Sequence, residues 1–444
     1  FFLCLILIHY FWFKINTMKK GIYLFLALLI VACGSDDISG EDSTCIPLES
    51  LGLNQNKWSP PSMGSNNTVP FIPDYYAVYY NFQVDVEDQD QYIQITGEFP
   101  KARYMSYNIY NSKKNNVGSG SIRDNQIIPN CGSTNPFTSD DNGGTSSNYT
   151  VNIVPDNRVD ELEAELDNIV NYQIDSLVDS ENIIDNRLIV MLRYYVTENP
   201  NGIPYVELPS IIGKKIDMSG DLDLIFLTPE SQLPPHLTAL EITFAAETVK
   251  DQDSIGFWRF PSSGELPNND NEYLVSPIIC GPEELIIIKF KPPTFNREND
   301  IAQGPQDVRY WSLNLGDRNT FTFNGIKDED AKINPADGFC YVVLANTILS
   351  ERAQQIKDKC DSLKYNYLDW NISGGDLPAH NEIGLMIYRN LVSTNFPDSL
   401  AQVKTVKFKE VTDLNTLLEK VAENFIGNYA PRGKKKSIAE FLDE

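Results

Sequence analysis

One six-residue pattern brings together the side chains best suited to chemistry, and it occurs twice. Residues 103–108 read "RYMSYN" and residues 309–314 read "RYWSLN", so both carry Arg-Tyr-x-Ser-x-Asn in the same register. A planar guanidinium beside aromatic rings can hold a sugar face or an aromatic ligand through stacking and hydrogen bonds. The candidate ligand-binding residues on or near these strands are Arg103, Tyr104, Tyr110, Arg309, Tyr310, Trp311, Asp330 and Trp370.

Strand geometry divides the pattern into two faces. Side chains alternate along a strand, so Arg309 and Trp311 would point one way and Tyr310 and Ser312 the other, with one set inside and the other outside. The alternative to a ligand site is architectural. Trp311 would then fill a β-sandwich core, while Arg103 and Arg309 would pair with buried carboxylates. The weight of these observations favours the architectural alternative.

Motifs for the common catalytic mechanisms are missing from the sequence. After Cys33 the histidines are His236 and His380, and neither stands in an H-E-x-x-H motif. The sequence also has no G-x-S-x-G elbow and no phosphate-binding loop. We therefore assign no catalytic residue. An enzyme built on this chain would be a hydrolase or lyase acting on a carbohydrate or ester through Tyr, Arg and carboxylate groups, without histidine.

Two acidic stretches could supply oxygen ligands to calcium. They read "SDDNGG" at 139–144 and "KDEDAKINPADG" at 327–338. Neither has the ligand spacing of an EF-hand loop, and turn formation explains both compositions without a metal. We expect no cofactor and assign no metal ligand, with calcium as the one candidate.

The N-terminal region predicts export and lipid attachment. Met18 is followed by Lys19 and Lys20, an apolar run over 22–31, and Cys33 at a small-residue cleavage site. This resembles a bacterial lipoprotein signal, so we interpret 1–17 as upstream translation, 18–32 as signal peptide and 33–44 as an acidic tether. The alternative is a retained membrane helix, but the apolar run is shorter than the ~20 residues that a span needs.

Lipidation at Cys33 predicts an outer-membrane lipoprotein of the cell envelope, facing either the periplasm or the cell surface. Two or more acyl chains, palmitate among them, would hold such a protein stably. The formal net charge of −25 repels nucleic acid and anionic headgroups. We therefore expect a membrane partner through the lipid, a glycan or other envelope component as ligand, and no nucleic-acid partner.

The cysteines after Cys33 predict disulfides, because an exported protein folds in an oxidising compartment. Cys340 and Cys360 are close in sequence and form the favoured pair, and Cys45 with Cys131 is the second choice. No C-x-x-C motif is present, so the sequence supports neither a zinc ribbon nor a thioredoxin-type site.

Periodicity predicts mainly β-structure. Alternating apolar and aromatic residues indicate strands, whereas helical spacing indicates a helix at 158–172, 349–360 and 413–427. The predicted strands span 75–86, 91–99, 103–111, 149–154, 186–196, 254–260, 284–291, 308–315, 320–326 and 338–347, and residues 382–392 are either a strand or a strand that passes into a helix. Matching blocks recur in the same order in both halves, which indicates an internal duplication of a β-rich unit.

Longer stretches around the repeated pattern resemble a known group. "GPQDVRYWSLNL", "DEDAKINPADGFCYVVLA" and "IGLMIYRNLV", with "GEFPKARYMSYNIYN" and "YTVNIV" in the first half, look like uncharacterised bacterial exported proteins. They are similar to the domain of unknown function twelve-fourteen, often found behind its companion twelve-fifty-four. The resemblance covers most of 75–400 and carries no established chemistry. Related chains tend to have Cys near the "WSL" strand, where this sequence has Asn314.

The resemblance implies jelly-roll-like β-sandwich units. We expect one such unit at 45–235, a second at 236–410, a few peripheral helices, and a C-terminal helix and tail at 411–444. The favoured function is a lipid-anchored, non-catalytic binding or scaffolding module. The enzymatic alternative requires an open cleft in which Arg309, Tyr310 and Asp330 converge.

Overall fold

The order of strands in the first half of the chain recurs in the second half. A computed structural model describes residues 57–66, 73–86, 90–111, 118–138, 146–173, 187–227, 246, 252–259, 266–281, 283–295, 306–317, 321–345, 350–370, 383–393, 395–406 and 414–444. The strands described in the first half are β1 Ser62–Met63, β2 Ala77–Asp85, β3 Gln91–Glu98, β4 Ala102–Asn111, β5 Gly118–Arg123, β6 Asn148–Pro155, β7 Ile169–Tyr172, β8 Arg187–Thr197, β9 Ser210–Lys215, β10 Asp221–Leu222 and β11 Phe226–Leu227.

The second half repeats the strand order of β1 to β9 and adds helices. Its strands are β12 Ser254–Ile255, β13 Trp258–Arg259, β14 Asn271–Ile279, β15 Glu284–Phe290, β16 Tyr310–Asp317, β17 Thr322–Lys327, β18 Cys340–Ala345, β19 Asn366–Asp369, β20 Ile383–Leu391 and β21 Arg432–Ser437. The helices whose bounds lie within the described residues are α1 Val159–Leu162 in the first half and α2 Ser350–Leu363, α3 Leu414–Glu419, α4 Glu423–Ile426 and α5 Ile438–Asp443 in the second. No helix among the described residues is long and apolar enough to cross a membrane.

Each half is a β-sandwich of two sheets. The first half has an inner sheet in the order β1-β2-β8-β4-β5, in which β11 also pairs with β2, and an outer sheet in the order β10-β9-β3-β6-β7. The second half has an inner sheet β13-β14-β20-β16-β17 and an outer sheet β12-β21-β15-β18-β19. In both outer sheets the last pair, β6 with β7 and β18 with β19, is parallel, while the other pairs are antiparallel. The prediction of a mainly β, duplicated fold is confirmed.

The repeated strands β4 and β16 contribute to two buried layers at once. Met105, Tyr107 and Ile109 point into the core of the first sandwich, and Trp311 and its alternate neighbours point into the core of the second. The intervening side chains, with Tyr104 and Tyr310 among them, lie between the two inner sheets. We call this layer between the inner sheets the seam.

The helix predicted at 158–172 is largely wrong. Only α1 is helical there, and Ile169–Tyr172 is strand β7. Asn168, at φ +52°, turns the chain, and its side-chain amide donates to Ile128 O at 2.8 Å and to Thr150 O at 2.7 Å. Val170 and Tyr172 then alternate into the first core. The apolar residues have helical spacing in the sequence, but in the structure they are divided between one helical turn and a buried strand.

The separate C-terminal helix and tail predicted at 411–444 is also corrected. The helix expected at 413–427 is broken into α3 and α4, and β21 pairs with both β12 and β15 inside the outer sheet of the second sandwich. Ser437 then caps α5, with its side chain accepting from Glu440 N at 3.2 Å. The C-terminal segment is therefore an integral part of the second sandwich.

The predicted Cys340–Cys360 disulfide is wrong, because both thiols are free. Cys340 points from β18 into the core between the two sheets, where Asn366 Nδ2 lies 3.4 Å from its sulfur. Cys360 lies on α2, which packs against the opposite face of the same sheet beside Ile356. The sheet separates two residues that are close in sequence. Cys131 is disulfide-bonded, and its predicted partner, Cys45, lies outside the described residues.

Candidate functional site

Two ion pairs cross the seam in opposite directions. Arg103 Nη1 lies 2.5 Å from Asp328 Oδ1, and Arg309 Nη1 lies 2.6 Å from Asp124 Oδ1. Each aspartate follows the last strand of an inner sheet, at the start of a short 3-10 turn, Asp124–Gln126 or Asp328–Asp330. Each half therefore supplies an arginine to the other half and receives one in return.

The same aspartates hold the strands of their own halves. Asp124 Oδ2 accepts from the backbone N–H of Met105 at 2.6 Å, and Asp328 Oδ2 accepts from that of Trp311 at 3.2 Å. Burial raises the pKa of Asp328 to about 6 against the opposing influence of Arg103, and burial likewise raises the pKa of Asp124. These carboxylates are thus structural anchors, and their charge is costly to keep away from water.

Tyrosine hydroxyls fill the middle of the seam. Tyr310 donates to Asp74 Oδ1 at 2.9 Å, and Tyr104 donates to Asn268 Oδ1 at 3.2 Å and Asp270 Oδ2 at 2.8 Å. The ring of Tyr195 stands edge-on between them, with its centroid 5.5 Å from that of Tyr104 and 5.6 Å from that of Tyr310. Burial and the adjacent carboxylates raise the pKa of both donors well above the ordinary value, so they stay protonated.

Two further arginines of the seam were missed by the sequence analysis. Arg193 on β8 donates to the Tyr110 hydroxyl at 2.9 Å, to Leu266 O at 2.6 Å and to Asn108. Arg389 occupies the same place on β20 and is almost fully buried. The available signal was an arginine within an otherwise apolar strand, because such a residue is rarely buried unless the fold gives it partners.

The candidate ligand-binding residues do not form one open site. Arg103, Tyr104 and Tyr310 are buried in the seam, and the Arg309 side chain, which is 9% exposed, lies over the ring of Tyr104 at 5.8 Å. Tyr110 is buried with them and donates to Pro267 O at 2.5 Å.

The remaining three candidates lie elsewhere. Trp311 and Trp370 pack in the second core, where their rings lie 5.3 Å from Phe290 and 5.9 Å from Phe323, respectively. Asp330 is exposed and pairs with Lys327 at 3.8 Å, away from Arg309 and Tyr310. The expectation that one face of the "RYWSLN" strand is outside is therefore wrong. The inner sheet of the other half covers the face of this strand that would otherwise be exposed to solvent.

An open cleft lies at one end of the seam, at residues that the sequence analysis did not single out. Its volume is about 190 Å³, and two of its lining residues, Arg123 and Asp270, form an ion pair with 2.8 Å between Nη1 and Oδ1. Arg259 Nη2 pairs with Glu272 Oε2 at 2.7 Å. Burial raises the pKa of Glu272, opposed by Arg259. The lining consists of Arg123, Asn269, Asp270, Glu272, Val392, Ser393, Phe396, Ser399, Ala401 and Gln402.

No group of three or more His, Cys, Asp or Glu side chains in the described part of the chain is arranged to hold a metal ion. In the candidate calcium stretch at 327–338, Asp328 is occupied by Arg103 and by backbone N–H groups. Asp337 accepts from the Tyr341 hydroxyl at 2.7 Å. The other stretch, 139–144, and both His236 and His380 lie outside the described residues.

Comparisons with known proteins give a structural likeness only. No family model and no curated protein sequence matches the chain. An uncharacterised protein from Burkholderia cenocepacia is similar in structure, with a TM-score of 0.48 and 11% identity over 86% of this chain and 83% of that one. The VPA0106 protein from Vibrio parahaemolyticus gives a TM-score of 0.42 and 11% identity over 85% of this chain and 92% of its own.

Proposed function

We propose that the chain is a lipid-anchored protein of the cell envelope and acts as a non-catalytic binding or scaffolding module for a glycan or other envelope component. One observation carries the non-catalytic part. The arginines and tyrosines that could have done chemistry are buried between two sheets and hydrogen-bonded to partners from the opposite half. Groups committed in this way stabilise an interface and are not presented to a substrate.

The enzymatic alternative finds less support. A histidine-independent hydrolase or lyase would need an arginine, a tyrosine and an acid around open space. Arg309 and Tyr310 each contact a buried aspartate, Asp124 and Asp74, and Asp330 lies on the surface. The open cleft is lined instead by Arg123, Asp270 and Glu272, whose side chains stay partly exposed in their ion pairs and can still contact a polar ligand.

The envelope part of the proposal rests on the sequence around Cys33, and two experiments test it. Cells that express the wild-type chain and Cys33→Ala are labelled with palmitate and fractionated. We expect the variant to lose both the label and membrane association, whereas equal labelling contradicts the anchor. Purified Cys33→Ala protein is then sedimented with isolated envelopes, so that the lipid cannot account for binding. Failure to co-sediment contradicts the binding module.

A further inference from the structure

The seam has two ends that the duplication makes equivalent, and their backbones correspond residue by residue. Val196 N–H donates to Tyr76 O at 3.1 Å, and Val392 N–H donates to Asp270 O at 2.7 Å. Both valines have positive φ, 49° and 53°. Tyr76 in the first half is therefore the counterpart of Asp270 in the second.

The basic residue at each end corresponds in the same way. Arg123 is paired with Ser106 in the first inner sheet, and Lys327 is paired with Ser312 in the second. Each is the residue that precedes a 3-10 turn with an extended backbone, at φ −111° and φ −108°. The two ends thus have equivalent backbones, as expected from the duplication, but different side chains.

One end is closed. The Tyr76 ring lies across it, its hydroxyl donates to Gly325 O at 2.8 Å, and Lys327 Nζ lies 5.3 Å from the ring centroid. The packing leaves no space even for a methyl group at Gly325, because a Cβ there would lie 2.6 Å from Asn314 Oδ1. The Tyr76 side chain and its neighbours therefore fill this end.

The other end is the cleft, and three changes distinguish it from the closed end. An aspartate replaces the tyrosine that fills the first end. Glu272 stands at the strand position that Val78 has in the first half, because it pairs with Asn390 as Val78 pairs with the equivalent Tyr194. Val78 is 1% exposed and belongs to the first core. An acid at a position that is apolar in the sister unit breaks the core pattern, and such breaks are expected at functional sites.

The third change is a longer connection. In the first half, residues 198–209 join β8 to β9, whereas in the second half residues 392–431 join β20 to β21. The added chain includes a 3-10 turn, Leu400–Gln402, capped by Ser399, which accepts from Ala401 N–H at 3.2 Å. This turn forms one wall of the cleft, opposite Arg123 of the first half.

The cleft is strongly polar but balanced in charge. Its two carboxylates, Asp270 and Glu272, are each paired with an arginine, Arg123 and Arg259. Such a site exerts little net attraction on an ion. It does place guanidinium donors next to carboxylate acceptors. A ligand with adjacent hydroxyl groups could accept a hydrogen bond from a guanidinium group and donate one to a carboxylate. Asn269 and Gln402 add amide groups, and Val392 and Phe396 supply the apolar part of the lining.

We propose that this cleft, opened by divergence of the two duplicated units, binds a sugar residue of a neutral glycan. The proposal rests on the proposed binding function and gives it a place and a ligand class. The volume of about 190 Å³ suits one ring-sized unit and not a large ligand. Arg123 comes from the first sandwich and the other lining residues from the second, so the bound sugar would bridge the two units.

Calorimetric titration of the full chain with the neutral disaccharides chitobiose, maltose and cellobiose tests the proposal. Ala401→Trp places a large side chain at the exposed rim of the cleft, and Ala336→Trp is a matched exposed control elsewhere. We expect at least one disaccharide to bind and Ala401→Trp to weaken it about tenfold or more, with Ala336→Trp unchanged. Glu272→Gln should also weaken it, since the amide offers one acceptor oxygen in place of two.

Two results would overturn the cleft assignment: no binding of any of these sugars to the wild-type chain, or equal binding by Ala401→Trp and the wild type. Envelope sedimentation in the Cys33→Ala background separates this failure from failure of the broader function. If Cys33→Ala protein sediments with envelopes and Cys33→Ala/Ala401→Trp does so equally, the binding module stands and the cleft is not its site. If neither sediments, the proposed function itself fails.

Discussion

Arg103 of the first sandwich lies 2.5 Å from Asp328 of the second, although the strand that carries Arg103 and the 3-10 turn that carries Asp328 are far apart in the sequence. The contact is repeated in reverse between Arg309 and Asp124. Buried ion pairs of this kind contribute modestly to net stability when intact, but removal of one partner strands a charge away from water. The predictions on stability follow from that asymmetry.

Arg103→Met should lower the free energy of unfolding by about 3 kcal/mol at neutral pH, because Asp328 is left buried without its counter-ion. Urea denaturation measures the change. The matched control is Arg158→Met, whose pairs with Asp90 and Glu161 are partly exposed and should matter by less than about 1 kcal/mol. The double variant Arg103→Met/Asp328→Asn should recover part of the lost free energy of unfolding. Equal effects of the two single variants would contradict a structural role for the crossed pair.

The stability of the wild-type chain relative to Asp328→Asn should depend on pH. Burial holds the folded-state pKa of Asp328 at about 6, above its ordinary value of 3.8. The folded chain therefore binds this proton more tightly than the unfolded chain does. The stabilisation that follows is fully present below the ordinary pKa and is lost as the pH rises through 6.

Between about pH 4 and pH 7 the wild type should lose roughly 2–3 kcal/mol relative to Asp328→Asn. Urea titrations across this range measure the difference. The opposite slope, with the wild type gaining on the variant as the pH rises, would mean that Arg103 outweighs burial and depresses the pKa.

Tyr310→Phe should destabilise the chain more than Tyr104→Phe, although the two residues are equivalent by duplication. Tyr310 donates to the fully buried Asp74, whereas the partners of Tyr104 are a neutral amide and the partly exposed Asp270. Loss of a donor to a buried charge costs about 2–3 kcal/mol, against about 1 kcal/mol for a neutral or partly exposed acceptor. Thermal and urea unfolding of both variants give the comparison. An equal loss would show that the seam is energetically symmetric.

Cys340 and Cys360 should resist alkylation in the native chain and react readily after unfolding without any reductant. Both thiols are buried, and burial raises the pKa of each to about 12, so almost no thiolate forms. Peptide mapping by mass spectrometry after alkylation in urea locates the label. A Cys340–Cys360 cross-link in the non-reduced map would refute the arrangement in which the sheet separates them.

The sequence predicted the strands and their alternation well, because each sandwich strand has a buried face whose period of two is visible in the residues. Tyr310 and Trp311 do point in opposite directions. Alternation states that a strand has two faces, but it does not state what covers each. The covering element for Tyr310 is an inner sheet from the other half, and that contact is made by tertiary packing alone.

The cleft was out of reach for a related reason. Asp270 and Glu272 lie at the start of β14, Arg123 at the end of β5, and Ser399 and Ala401 in the connection after β20. No motif links them, since they meet only because the two inner sheets pack together. The failed helix at 158–172 has a local cause, the positive φ of Asn168, which helical spacing does not reveal.

The crossed ion pairs and the late position of β21 in the sequence also bear on the order in which the chain can fold during synthesis. When the first half emerges, Arg103 and Asp124 both lack their counter-ions, because Asp328 and Arg309 are still to be made. The second half, in turn, lacks a central strand of its outer sheet until β21 appears near the C-terminus. We therefore expect the two sandwiches to complete their packing against each other only after β21 has been synthesised.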